Sequence, residues 1–206
     1  MKFKVLSYNI LFGMKGNNIF SNFISHMCIY GVRVLLPNII GNRTSVYFSK
    51  KRSKYLKEVI SIIKTETPDI ICLNEVLMGF HKEELERKLK RKGYKSFIWS
   101  SSTHYESPIN LSTVLISKFE AEELLNKIYF KPAIGSGSGC VIMKIKELDL
   151  IVLGVHASPI SKESRTKQIK NIYTFIKNKK NNSKILLLGD YNQDLEGLKM
   201  EFPKLF

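Results

Sequence analysis

Four apolar runs in this chain each stop at a group able to bind a cation or move a proton. They end at Asn9, at Asn74-Glu75, at His156, and at Asp190 with Asn192. Apolar runs of this length and pattern read as strands. One polar ending carries little information, because a carboxylate after a buried strand is usually a turn residue and a lone His is usually satisfied by a backbone partner. Four such endings constrain the fold far more: they require strand termini gathered around one polar cleft, where a rigid scaffold can hold a site.

The elements between these endings follow from periodicity. Residues 2–10 alternate Phe3, Val5, Ser7 and Asn9 against Lys4, Leu6, Tyr8 and Ile10, the period of a strand. From Ser53 to Glu66, Leu56, Val59, Ile60 and Ile63 recur at helical spacing until Pro68 bars continuation. The buried strand Asp69–Glu75 follows at once. Lys82–Lys92 is a charged helix with Leu85 and Leu89 facing inward and Gly93 as its stop. Strands are predicted over Tyr94–Trp99, Ser112–Ser117, Gly139–Lys146 and Leu150–His156, the last two joined through Glu147-Leu148. Ser161 caps a helix with Ile169, Ile172 and Ile176 on one face, and Lys184–Gly189 is a final strand. Strand pairs mixed with helices predict an α+β or layered α/β domain.

Two segments resist this pattern. Gly135-Ser-Gly-Ser-Gly139 reads as a flexible connection, since a phosphate-cradling loop would lead from strand into helix and carry Lys-Ser/Thr. Phe23–Ile40 is apolar but contains His26, Arg33 and Pro37, which argues against a transmembrane segment. A surface helix on the core is expected there, with a substrate-facing or membrane-touching lid as the alternative.

At 206 residues the chain suffices for one domain, and 44% hydrophobic with 25% charged residues favours neither disorder nor a membrane-embedded bundle. The net charge of +15 draws polyanions. Because lysine supplies most of it, beside many Ile and Asn, AT-rich coding explains the charge as well as nucleic-acid binding does. Cys28, Cys72 and Cys140 are odd in number without CxxC spacing, so neither a disulfide framework nor zinc is expected and a reducing, cytoplasmic setting fits. The N-terminus reaches Tyr8 and Asn9 before any signal-length apolar stretch and reads as a first strand.

Leu6-Ser-Tyr-Asn9-Ile, Pro68-Asp-Ile-Ile-Cys-Leu-Asn-Glu75, Gly154-Val-His156-Ala-Ser-Pro and Leu188-Gly-Asp190-Tyr-Asn192 resemble, in order and spacing, the motifs of the DNase I-like endonuclease/exonuclease/phosphatase superfamily. The helix before Pro68, opening near Arg52, and the Arg165-x-x-Gln168 helix stand where that family has them. The resemblance takes residues 1–206 as one domain with an insertion at about 14–50. It implies a four-layer α/β/β/α sandwich of two mostly antiparallel sheets, with the active site at the edge where the sheets meet. It also implies hydrolysis of a phosphate ester assisted by Mg²⁺ or Mn²⁺. The residue types agree independently: Glu75 offers a hard anionic oxygen and Asn9 a neutral one, with no Cys/His cluster for zinc.

By the same resemblance, Asp190 holds or deprotonates the attacking water, Asn192 orients it or a phosphate oxygen, and His156 donates to the phosphorane-like oxygens or the leaving group. The charge favours DNA or RNA as substrate, met by Lys-rich faces such as Lys82–Lys92 and Lys177–Lys184. Lipid and inositol phosphates stay open, since the motifs build the phosphate site and not the leaving-group pocket.

The sequence also departs from the family. Tyr105 or Glu106 could partner His156, against a plain surface turn before Pro108. Lys118 stands where the family has Arg, which puts a bidentate phosphate contact in doubt. The superfamily continues past Gly-Asp-x-Asn to a closing Ser-Asp-His motif, whereas residues 193–206 contain no His. The expectation is therefore a sandwich without its C-terminal strands that shows little or no hydrolysis by itself, with a partner or second copy supplying the missing strands, or Asp194 and Glu196 supplying a substitute carboxylate, as the conceivable rescues. A degenerate, non-catalytic relative is the alternative.

Overall fold

Two apolar faces on one strand force a layered architecture. In β7 (Leu150–His156) every residue is buried, so both of its faces must be covered. The computed structural model describes residues 2–10, 56–100, 111–124, 139–158, 161–179, 183–201 and 203. Its elements are β1 (Val5–Asn9), α1 (56–66), β2 (Ile70–Leu77), α2 (Met78–Lys90), β3 (Ser96–Trp99), β4 (Leu111–Ser117), β5 (Glu122–Glu123), β6 (Gly139–Ile145), β7, α3 (Lys162–Lys179), β8 (Lys184–Asp190) and α4 (Leu195–Glu201). The 14–50 insertion with its Phe23–Ile40 stretch, Tyr105, Glu106 and residues 135–138 lie outside the described residues.

The strands form two four-stranded sheets, β1-β2-β4-β3 and β5-β6-β7-β8. Ile70, Cys72, Ile98 and Leu115 of the first meet Val141, Met143, Leu150 and Val152 of the second in the central core. The alternate residues of the first sheet, Ile71, Leu73, Val114 and Ile116, pack under Leu56, Ile60 and Ile63 of α1 and Leu85 and Leu89 of α2. On the far side, Ile151, Leu153 and Val155 lie under Ile172 and Phe175 of α3. The layers are thus α/β/β/α, as the period-two strands and period-3.6 helices require. Cys72 and Cys140 are buried, and loss of solvent pushes the Cys72 thiol up to about 12. No described helix is long and apolar enough to cross a membrane.

Local chemistry sets the ends. Ser161 Oγ accepts the Ser164 N–H at 3.1 Å and caps α3. Gly93 (φ +86°) closes α2 with paired bonds, Tyr94 N–H to Leu89 O at 3.3 Å and Gly93 N–H to Lys90 O at 3.1 Å. The structure starts α2 at Met78 rather than at Lys82, because β2 runs into the helix without a turn. Its basic face is partly neutralised by Lys88–Glu84 and Lys90–Glu86 ion pairs of 2.7 and 3.0 Å. The short strand β5 and the helix α4 lack a period strong enough to be expected from sequence.

The end of the first sheet remote from the four polar strand endings is held by Asp69. Its carboxylate accepts the Lys4 backbone N–H at 2.8 Å and the Lys118 ammonium at 3.0 Å, joining the starts of β1 and β2 to the end of β4. The Lys4 N–H bond, with Lys118 beside it, holds the carboxyl below the usual aspartate value of 3.8 despite partial burial. A depressed pKa means stability that is present above that value and lost as pH falls through the folded pKa. Asp69→Ala is therefore expected to be less stable than wild type in urea at neutral pH, with the gap closing in acid. A pH-independent gap would show that the charge is not what holds these strands.

Candidate functional site

Parallel pairing is what brings the polar endings together. Strands β1 and β2 run parallel with Asn9 opposite Asn74, and β7 and β8 run parallel with His156 opposite Asp190. Parallel neighbours run toward the same end of a sheet, so each sheet places polar residues of two strands side by side there, although β2 continues past Asn74-Glu75 to Leu77 rather than ending at Glu75 as the sequence suggests. The two edge strands β1 and β8 then meet across the sandwich, where Gly189 N–H donates to Ser7 Oγ at 3.0 Å. Gly189 has φ +124°, and a Cβ there would overlap the Val155 carbonyl, so glycine is needed for β8 to lie this close before Asp190.

Glu75 reaches the site through a bulge. Strict alternation after Ile71 and Leu73 would turn Glu75 outward toward the helices. Instead the register against β4 shifts between Leu73 and Val76, Glu75 adopts φ +59°, and Val76 takes the outward position in the helix-facing core. The extra residue swings the Glu75 carboxylate to the strand end, and the left-handed backbone is the strain such sites commonly store.

The five residues singled out in the sequence come together. Asn9 Nδ2 donates to Glu75 Oε1 at 3.1 Å and to Asp190 Oδ2 at 2.7 Å, bridging the two sheets. His156 Nε2 lies 3.4 Å from Glu75 Oε1. Asn192 (φ +49°) gives its backbone N–H to Asp190 Oδ1 at 2.8 Å and its Nδ2 to Ala157 O at 2.9 Å. That residue thereby clasps the turn after β8 to the turn after β7.

Burial pushes the Glu75 carboxyl above its usual range. The Asn9 hydrogen bond and the His156 imidazole pull it back, and the Asp190 charge adds to the rise. Glu75 Oε2 is buried without a hydrogen-bond partner. A bare buried carboxylate oxygen beside a second carboxylate is an unfavourable arrangement unless a cation completes it. Among the described residues no three His, Cys, Asp or Glu side chains form a ready-made cation cluster. The donor set here is two carboxylates with amides, which suits an ion that keeps much of its water shell and takes only one or two carboxylates.

Supporting residues to which the sequence assigned no role in the site lie behind this set. Asn74, 1% exposed, donates to Thr113 Oγ1 and to Val155 O, both at 3.0 Å, and so ties β2 to the backbone just before His156. Gln168 Oε1 accepts Ser158 N–H at 2.8 Å and Arg165 Nη1 donates to Ser158 O at 2.9 Å, locking the turn after His156 onto α3. The Arg-x-x-Gln spacing was the signal for the latter pair. Lys118 is remote, bound to Thr67 O at 2.7 Å and to Asp69. Asp194 caps α4 by accepting Gly197 N–H at 2.6 Å, and Glu196 pairs with Lys199 at 3.2 Å.

Two face-to-face sheets flanked by helices, with a carboxylate, amide and imidazole set where two parallel edge strands meet, define the DNase I-like fold of endonuclease/exonuclease/phosphatase proteins. Solved structures share it. The chain is similar to D. rerio TDP2 complexed with single-strand DNA product, at 17% identity and TM-score 0.52 over 71% of this chain and 56% of that one. It is similar to ANGEL2, a 2',3'-cyclic phosphatase, at 18% identity and TM-score 0.53 over 71% and 46% of the two chains. An endonuclease/exonuclease/phosphatase from Bacteroides vulgatus aligns at 18% identity and TM-score 0.53 over 70% and 62%. The chain thus spans less than two thirds of the length of each. In sequence, neither a family model nor a curated protein matches it.

The raised Glu75 pKa has a definite sign. Ionising a carboxyl whose folded pKa lies above its unfolded value costs stability, so the stabilising contribution exists in acid and is lost as pH rises through the folded pKa. Without divalent metal, Glu75→Gln is expected to melt higher than wild type at neutral pH, with the advantage vanishing in acid. A variant less stable than wild type at neutral pH would contradict this account of the site.

Proposed function

We propose that the chain is a divalent-metal-dependent phosphoesterase of the endonuclease/exonuclease/phosphatase superfamily, acting on phosphodiesters with nucleic acid as the favoured substrate. The observation that carries this reading is the bridge of Asn9 between Glu75 and Asp190, with His156 and Asn192 in the same contact set. The fold shared with a DNA-bound TDP2 and the net charge of +15 support the choice of substrate.

Glu75, through its unpartnered oxygen, and Asn9 would hold Mg²⁺ or Mn²⁺. The ion, when bound, would offset charge on the phosphate and polarise it for attack. Asp190 takes the proton of the attacking water as its oxygen bonds to phosphorus, and is oriented for this by the Asn9 and Asn192 N–H groups on its two oxygens. Asn192 carries a second Nδ2 hydrogen, available to a water or phosphate oxygen. His156, backed by Glu75, donates to a phosphate oxygen or to the leaving oxygen as its bond to phosphorus breaks.

Two experiments test the reading. Calorimetric titration is expected to show Mg²⁺ or Mn²⁺ binding that Glu75→Gln weakens, because an amide lacks the anionic oxygen that offsets cation dehydration. Equal affinity in both proteins would remove Glu75 as ligand. In hydrolysis of plasmid, abasic DNA and a generic phosphodiester, whatever turnover the wild type shows is expected to fall by about 10²–10⁴-fold in Asp190→Ala. Equal rates would sink the assignment of Asp190.

A further inference from the structure

The bulge in β2 stands where it suits Glu75 least. Pairing with β4 resumes on either side of it as Leu73↔Val114 and Val76↔Ser112, so Asn74 and Glu75 together face the single residue Thr113. Glu75 meets this with a left-handed backbone (φ +59°) and a buried carboxylate oxygen that has no hydrogen-bond partner. Both are unfavourable for Glu75 itself, so a group outside Glu75 must fix the bulge. Moving it one residue toward Val76 would turn Glu75 into the apolar layer under α1 and α2, where Val76 now packs. That move is opposed by the core, whereas a move toward Leu73 is opposed by no apolar contact of Glu75.

We propose that Asn74 is a positioning residue that pins this bulge and so holds Glu75 in the site. Its Nδ2 donates to Thr113 Oγ1, on the one residue that the bulge faces, and to Val155 O on the other sheet, both at 3.0 Å. A bulge moved toward Leu73 would set Asn74 against Val114, which has no hydroxyl to accept that bond. Thr113 is a firm anchor: it is fully buried, its N–H donates to Ser100 Oγ at 2.9 Å, and its carbonyl accepts Ser100 N–H at 2.8 Å. The orientation of the Asn74 amide is determined as well, because Val155 O can only accept and the nitrogen must face it. One amide therefore sets two groups of the site, Glu75, which follows it, and His156, which follows Val155. Asn9 also joins the sheets, but from within the site, where a ligand competes for it; Asn74 is 1% exposed and lies out of a ligand's reach.

The pin is tested without metal or turnover, by thermal unfolding in EDTA at neutral pH. Glu75→Gln is compared in the wild-type, Asn74→Leu, Thr113→Val and Ile63→Ala backgrounds. Because Glu75→Gln removes a buried unpartnered charge, it raises the melting temperature of any protein in which Glu75 is held where it stands. That gain is expected in wild type and in Ile63→Ala, a core change on α1 beside the turn that leads to Pro68 at the remote end. It should be largely lost in Asn74→Leu and lost in part in Thr113→Val, which keeps the Val155 bond. Thr113→Val decides the matter should Asn74→Leu not fold. An equal gain in every background, or no gain in wild type, overturns the proposal. The consequence for a cation rests on the phosphoesterase reading: Asn74→Leu is expected to weaken Mg²⁺ or Mn²⁺ binding by about 10–100-fold, the usual effect of losing a group that orients a ligand, and Ile63→Ala to leave it unchanged. Coupling between residues 74 and 75 in a wild type that binds neither ion would leave the pin standing and the metal reading refuted. Cation binding without such coupling would do the reverse.

Discussion

The contact on which this structure turns is one carboxamide between two carboxylates. Glu75 and Asp190 belong to different sheets, and their like charges oppose the approach of the strand ends that carry them. Asn9 Nδ2 spends both hydrogens on them, and the apolar interface between the sheets supplies the force that keeps them near. The site is therefore a place where burial holds polar groups in an arrangement they would not adopt alone. Its unpartnered Glu75 oxygen and raised carboxyl pKa record that tension.

Both sheets solve the assembly problem in the same way. Each is antiparallel apart from one parallel pair, β1 with β2 and β7 with β8. Antiparallel neighbours would send alternate strand ends to opposite poles, whereas a parallel pair places two C-terminal ends together. The crossovers α1 and α3 that make these pairs parallel also cover the outer faces of the sheets, so each helix has both a topological and a packing role. The strand before each crossover ends in Asn9 or His156, and the strand after it carries a carboxylate, Glu75 or Asp190.

Much of this was legible in the sequence, for identifiable reasons. The inward residues of α1 and α2, Leu56, Ile60, Ile63, Leu85 and Leu89, are all buried, because long periodic segments leave little choice of face. The polar strand endings marked the residues that converge. The bulge was not legible: Asn74-Glu75 after an apolar run gives no sign that alternation breaks there, and only the β4 register reveals it. Nor was the role of Asn74. A buried amide that bonds to Thr113 and to a backbone carbonyl of the other sheet depends on contacts across 39 and 81 residues, and no local pattern encodes such pairings. The displacement of Lys118 to the remote end has the same origin, since the run to Lys118 identifies a strand but not which of its ends faces the cleft.

The two ends of the first sheet show how such a site is tolerated. At one end Asp69 is matched by a backbone N–H and an ammonium, Tyr94 OH donates to Pro68 O at 2.7 Å, and Lys4 pairs with Glu66 at 2.9 Å. Polar groups there are partnered and the carboxyl pKa falls. At the other end Glu75 sits on a left-handed backbone, partly unpartnered, with its pKa raised. Both conditions act on β2, which is rigid through its pairing with β1 and β4. A strand fixed firmly at its start can hold an unfavourable residue at its end, because relaxing that residue would mean slipping a register that Ile70, Cys72 and Leu73 lock from both faces. The asymmetry along β2, satisfied where it enters the sheet and unsatisfied where it leaves, keeps the Glu75 oxygen available to a ligand instead of letting it collapse onto the protein's own donors.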